Sequence, residues 1–169
     1  MITGAILLFG PLFSGKSLFV ERLADSLRGE GIAVAGFVQR GVFDAGGDKI
    51  GYDLVGLSSG AQRPLARRSK VGRGWRFDEA AFEVAREEVR SSAFTIIDEI
   101  GPLELDGRGH AAAVERALTL PGAVLVVVRE ALVERARRWL SSYTPVEVVR
   151  FEPGRDEEIA AKIRERFSL

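Results

Sequence analysis

The chain has 169 residues, 46% apolar and 28% charged, with Lys+Arg and Asp+Glu balanced at 24 each and no cysteine. Those totals fit one compact domain with a sizeable core, and they exclude a disulfide framework, a thiolate metal site and a cysteine nucleophile. The only histidine is His110, which excludes a histidine-rich metal site, and the zero net charge gives no support to a nucleic-acid partner.

The N-terminus is apolar but lacks the basic flank of a signal peptide. The longest apolar run, Ala123 to Val128, is too short to span a bilayer. A cytoplasmic protein without a membrane partner is expected; no protein partner can be read from the residues.

Ala5 to Phe9 reads as a short apolar strand that runs into Gly10-x-x-x-x-Gly15-Lys16-Ser17. This is the P-loop (Walker A) pattern in its required setting, after a strand and before a helix-forming run. The expected nucleotide-binding residues are Gly10, Pro11, Leu12, Phe13, Ser14, Gly15, Lys16, Ser17 and Leu18. Glycines let consecutive N–H groups face a phosphate, Lys16 reaches the β- and γ-phosphates, and the Ser17 hydroxyl ligates Mg²⁺. The helix that follows adds its positive end to the anion site. Leu18, Phe19, Leu23 and Leu27 give that helix an apolar face, and Gly29 and Gly31 end it.

Ile32 to Val38 reads as a second strand, which makes the opening of the chain a β-α-β unit. Residues 39–77 break that rhythm. The Asp44-Ala-Gly-Gly-Asp48 turn predicts a hairpin, and the segment reads as an antiparallel β-insertion. Within it, Arg63, Arg67, Arg68, Lys70, Arg73 and Arg76 run without an acidic residue. That stretch reads either as a solvated loop or as a mobile basic lid over a triphosphate. Asp78 is placed to cap a helix carrying Phe82, Ala85 and Val89 on one face.

Phe94-Thr-Ile-Ile-Asp98-Glu99 is the Walker-B pattern, a buried strand that ends at a Mg²⁺-holding carboxylate, Asp98. Glu99, the next residue, is placed to act as the base that polarises a water for attack on the γ-phosphate. An Ala-rich helix follows at 109–119, then the strand Ala123 to Val128, whose continuous β-branched character fits burial on both faces. Leu132, Ala136, Trp139 and Leu140 mark another helix, Val146 to Phe151 another strand, and 156–167 a closing helix. The fold class expected is α/β, a three-layer P-loop domain with a mostly parallel sheet and an antiparallel hairpin insertion, all within 1–169. Arg129, directly after a buried strand, is a possible phosphate contact. Glu104 reads as a structural hydrogen-bonding residue, Trp75 and Trp139 as packing residues, and His110 has no assigned role.

The run Asp98-Glu99-Ile100-Gly101-Pro102-Leu103-Glu104-Leu105 resembles the signature of the nucleoside-triphosphatase family of thermophilic prokaryotes and of the human cancer-related nucleoside-triphosphatase. Gly36-Phe37, Ile50-Gly51-Tyr52-Asp53 and Pro64-Leu65-Ala66-Arg67 resemble further segments of that family. The resemblance implies a RecA-like sheet, in which an extra strand lies between the P-loop strand and the Walker-B strand; Ala123 to Val128 is the candidate. It also implies Mg²⁺-dependent hydrolysis of nucleoside triphosphates with broad base tolerance. Three positions depart from the family pattern. Phe13 stands where a glycine is common, and Ser17 where threonine is. Gln39-Arg40 and Val42-Phe43 replace an acidic residue and a Val-Arg pair, which moves the expected charge-neutralising arginine to Arg40. Two other uses of such a site are a small-molecule kinase and a slow nucleotide-dependent adaptor like those of molybdenum-cofactor assembly. Acceptor-dependent diphosphate formation would mark the first, and a partner that binds only the triphosphate form the second.

Overall fold

The continuous apolar runs of the sequence become the centre of one eight-stranded sheet in the computed structural model, which describes residues 4–169. In chain order the strands are β1 (Gly4–Gly10), β2 (Val34–Phe43), β3 (Lys49–Gly56), β4 (Gln62–Arg68), β5 (Trp75–Phe77), β6 (Phe94–Ile100), β7 (Ala123–Arg129) and β8 (Val146–Arg150). The helices are α1 (Lys16–Gly29), α2 (Glu79–Glu88), α3 (Pro102–Leu105), α4 (Ala111–Thr119), α5 (Val133–Leu140) and α6 (Asp156–Phe167). A 3₁₀ turn, Glu130–Leu132, leads into α5.

The order across the sheet is β5-β4-β3-β2-β6-β7-β1-β8. From β2 to β8 all pairings are parallel, and from β2 outward to β5 all are antiparallel. β7 lies between β1 and β6, the extra-strand position that the RecA-like resemblance implied. Side chains alternate between two apolar layers. Ile6, Leu8, Ile96 and Leu125 pack with Phe19, Leu23 and Leu27 of α1 and Ile159 and Ile163 of α6. Leu7, Ile97 and Val126 pack with Ala81 and Ala85 of α2, Val114 of α4 and Ala136 and Leu140 of α5. Burial on both faces is what the continuous Val/Leu/Ile runs required, and it gives the expected three layers.

Asp78 caps α2, its Oδ1 accepting from the Ala80 N–H at 3.1 Å. The Asp44 turn closes the β2–β3 hairpin, with Asp44 Oδ1 accepting from the Gly46 and Asp48 N–H groups, both at 2.9 Å. The basic stretch is neither a loop nor a lid over the P-loop. Arg63, Arg67 and Arg68 lie in β4 and Arg76 in β5, at the far edge of the sheet, and only the short turn between them carries Lys70 and Arg73. Arg67 pairs with Asp53 at 2.6 Å and Arg63 with Asp78 at 2.9 Å, so two of the charges are held within the sheet edge.

β2 is longer than its periodicity announced. Val34 to Phe37 pair with β6, whereas Val38 to Phe43 pair with β3 alone, so the β2–β3 hairpin rises past the C-terminal ends of the parallel strands. Where β2 meets β6, Gly36 has φ +95°, and a Cβ there would overlap the Ile96 carbonyl. Only glycine fits such an approach.

Candidate functional site

The parallel strands share one direction, so their C-terminal ends gather at one edge, the usual ligand edge of an open α/β sheet. A cleft of about 910 Å³ opens there. One wall is Gly10, Leu12, Phe13, Ser14, Gly15, Lys16 and Ser17; the floor holds Asp98 and Glu99; Arg129 to Leu132 and the β2–β3 hairpin close the other sides.

Gly10 ends β1, and Gly15, at φ +93°, turns the chain into α1. The side chain of Lys16 is largely buried and lies back across the loop, its Nζ donating to the carbonyls of Gly10 at 3.0 Å and Pro11 at 2.7 Å. Burial lowers the Lys16 pKa, and Glu99 and Asp98 oppose that fall. Phe13, at φ +56°, is 84% exposed on the wall of the cleft. Two expected phosphate-loop residues do not line the cleft. Pro11 contributes only its carbonyl to Lys16, and Leu18 is exposed on α1 while Phe19, Val20, Leu23 and Ala24 form the buried face.

Asp98 is fully buried at the end of β6. Its Oδ2 accepts from the Gln39 N–H at 3.1 Å, and its Oδ1 is buried with no hydrogen-bond partner. Desolvation, then the neighbouring Glu99 charge, push its pKa up to about 7, against the pull of the Gln39 N–H, the Ser17 hydroxyl and Lys16. An orphaned carboxylate oxygen near a serine hydroxyl fits a hard cation that takes oxygen ligands, Mg²⁺ above all. No group of three or more His, Asp or Glu that could hold a metal occurs among the described residues.

Glu99 differs from its neighbour. The register against β7 shifts between Asp98 and Ile100, so Glu99 has no partner there, as at a β-bulge that re-aims a side chain. It is partly exposed to the cleft, and its Oε1 accepts from Arg129 Nε at 3.1 Å. Arg129 thus stands on the ligand edge, as its place after β7 required. Arg40 does not line the cleft; its guanidinium pairs with Glu21 of α1 and with Gln62 at 3.4 Å.

Behind the floor, Glu104 accepts from the Gly101 N–H at 2.8 Å and the His110 N–H at 3.0 Å, a structural brace on the segment after β6. His110 is buried against Phe37 and Phe82, and desolvation pushes its pKa down to about 3, so its ring is neutral. Its Nε2 lies 3.2 Å from Gln39 Nε2, and Gln39 lines the cleft. Sequence reasoning gave neither residue a place, because nothing local marks a lone His and Gln that meet across 71 positions. Lys49, Tyr52 and Phe43 were likewise missed as cleft residues. Trp75 packs edge-on to Tyr52, with ring centroids 5.2 Å apart.

A family model described as NTPase matches residues 5–164. The chain is similar to a nucleoside-triphosphatase THEP1 of Methanothermobacter thermautotrophicus, 32% identical over 141 residues that cover 79% of this chain and 80% of the relative. It is similar to the cancer-related nucleoside-triphosphatase of Homo sapiens, 31% identical over 139 residues that cover 72% of each. Its structure superimposes on the solution structure of a human cancer-related nucleoside triphosphatase with a TM-score of 0.72 and 27% identity, covering 95% of each chain.

Proposed function

Because the chain belongs to the NTPase family and is a nucleoside-triphosphate phosphohydrolase, we propose that it converts nucleoside triphosphates to diphosphate and phosphate with Mg²⁺, several bases being accepted. The reaction runs at the C-terminal edge of the sheet. The whole of 1–169 acts as a single domain, with 39–77 as an insertion in it, and works in the cytoplasm.

The N–H groups of the loop from Gly10 to Ser17 and the first turn of α1 hold the phosphates. Lys16 exchanges its loop carbonyls for phosphate oxygens, a stronger charge-assisted bond. Ser17 and Asp98 would hold Mg²⁺. When bound, the ion neutralises charge on the phosphate oxygens. Asp98 gains from such a neighbour, since a buried carboxylate with a free oxygen is costly by itself. Glu99 takes the proton of the attacking water, and Arg129 orients its carboxylate from the opposite wall. A broad choice of base follows from recognition centred on the phosphates.

The observation that carries this reading is the division of labour between adjacent carboxylates. One is buried beside Ser17 with an orphaned oxygen, the other is open to the cleft. The test is phosphate release from ATP, GTP, CTP and UTP, with and without Mg²⁺. Turnover of several bases in Mg²⁺ alone, abolished by EDTA, is expected. Release independent of Mg²⁺, or confined to reactions with an added acceptor, would overturn it.

A further inference from the structure

Lys49, on the cleft wall, has no carboxylate ion pair among the described residues. Lys49 opens β3 opposite Phe43 of β2, on the hairpin that rises above the sheet edge. Its Nζ lies 5.0 Å from the ring centroid of Phe13, 5.5 Å from that of Phe43 and 4.7 Å from that of Tyr52. The Tyr52 hydroxyl, at 3.5 Å, is its hydrogen-bond neighbour. No described carboxylate lies within ion-pair distance of its Nζ, whereas Arg129, which lines the same cleft, pairs with Glu99.

The cage spans the cleft. Phe13 belongs to the P-loop, whereas Phe43 and Tyr52 belong to the hairpin, and all three line the same cavity as Lys16, Asp98 and Glu99. Gly41, between the hairpin residues, keeps the seat open, since a Cβ there would meet the Phe43 ring at 2.9 Å and Lys49 Cε at 3.2 Å. Across the sheet the order from the P-loop strand is β1, β7, β6, β2, β3. Lys49 therefore lies beyond the two β6 carboxylates as seen from β1. A triphosphate seated on the P-loop directs its terminal group toward those carboxylates, so its last phosphate faces the hairpin.

We propose that Lys49 is a phosphate-binding residue specific for the terminal phosphate of a nucleoside triphosphate, supplied in cis by the β2–β3 hairpin and parked on the Phe13–Phe43–Tyr52 cage. This deepens the hydrolase reading and rests on its P-loop site. A cation over exposed rings is held weakly beside one bonded to a phosphate oxygen, so the exchange from cage to phosphate is downhill. The neutralising charge that the family resemblance moved to Arg40 is carried instead by Lys49, because Arg40 is turned toward Glu21. A diphosphate does not reach Lys49.

The test is calorimetric binding of the non-hydrolysable β,γ-imido triphosphate and of the diphosphate, each with Mg²⁺, to wild type, Lys49→Met and Lys49→Arg. Lys49→Met is expected to weaken the triphosphate analogue about tenfold or more, the worth of a lost charge-assisted bond. The diphosphate affinity stays at the wild-type value, which also reports an intact fold and P-loop. Lys49→Arg is expected to retain most of the preference. Unchanged affinity for both ligands in Lys49→Met would overturn the proposal, and so would equal losses for both. If wild type bound neither ligand, the P-loop reading itself would fall and this one with it.

Discussion

In β1, β6 and β7 nearly every side chain is buried, and charged residues enter only where the strands stop, at Asp98, Glu99 and Arg129. In β3, β4 and β5 burial is broken, and charges run through the strands, tied to one another as Arg67–Asp53 or to a flanking residue as Arg63–Asp78. The difference teaches what each half is for. The parallel half spends apolar burial on rigidity and sets a costly carboxylate at its rim. The antiparallel wing is held by exposed pairs worth little each, and it lends the rim a wall of side chains.

The largest effect is expected where the halves join. Gly36→Val puts a branched side chain at φ +95° against the Ile96 carbonyl. It is expected to cost more than about 3 kcal/mol, or to prevent folding altogether, as read by urea unfolding. A loss below 1 kcal/mol would mean that β2 can shift on β6 and that the junction is not rigid.

An intermediate effect is expected at the rim. With its pKa raised to about 7, Asp98 keeps in the native state a proton that the unfolded chain releases near pH 4. Its stability contribution is therefore present below pH 4 and lost as pH rises through 7. Asp98→Asn, measured in EDTA, is expected to be more stable than wild type at pH 8 by on the order of a few kcal/mol, with the gain shrinking toward pH 4. A gain that is equal at both pH values would contradict the burial cost. The smallest effect belongs to the wing. Arg67→Ala breaks a half-exposed pair with Asp53 and is expected to cost about 1 kcal/mol in the same urea assay; a loss above 3 kcal/mol would erase the contrast.

What the sequence made legible follows the same line. The P-loop and the Walker-B strand were readable because a buried parallel strand needs an unbroken apolar run and a phosphate loop needs fixed spacing, whereas the place of β7 came from the family resemblance. The Asp44 turn and the Asp78 cap were readable because each is a local hydrogen bond. Arg40 was expected at the phosphates from a departure from the family pattern, which does not tell whether Glu21 of α1 will capture its guanidinium. The basic run at 63–76 looked like a loop because β5, at the sheet edge, and β4, next to it, lack the alternation that burial imposes. Lys49 was invisible because Phe13, far from it in sequence, meets it only where the β2–β3 hairpin and the P-loop line one cleft.

The central claim is that the rim of the parallel half hydrolyses nucleoside triphosphates through Glu99. Single-turnover hydrolysis of Mg²⁺-ATP by Glu99→Gln, with binding measured on the same samples and Lys16→Ala alongside, tests it most directly. Glu99→Gln is expected to bind as wild type does while turnover falls about 100-fold or more, and Lys16→Ala to lose both. Wild-type turnover by Glu99→Gln would contradict the account.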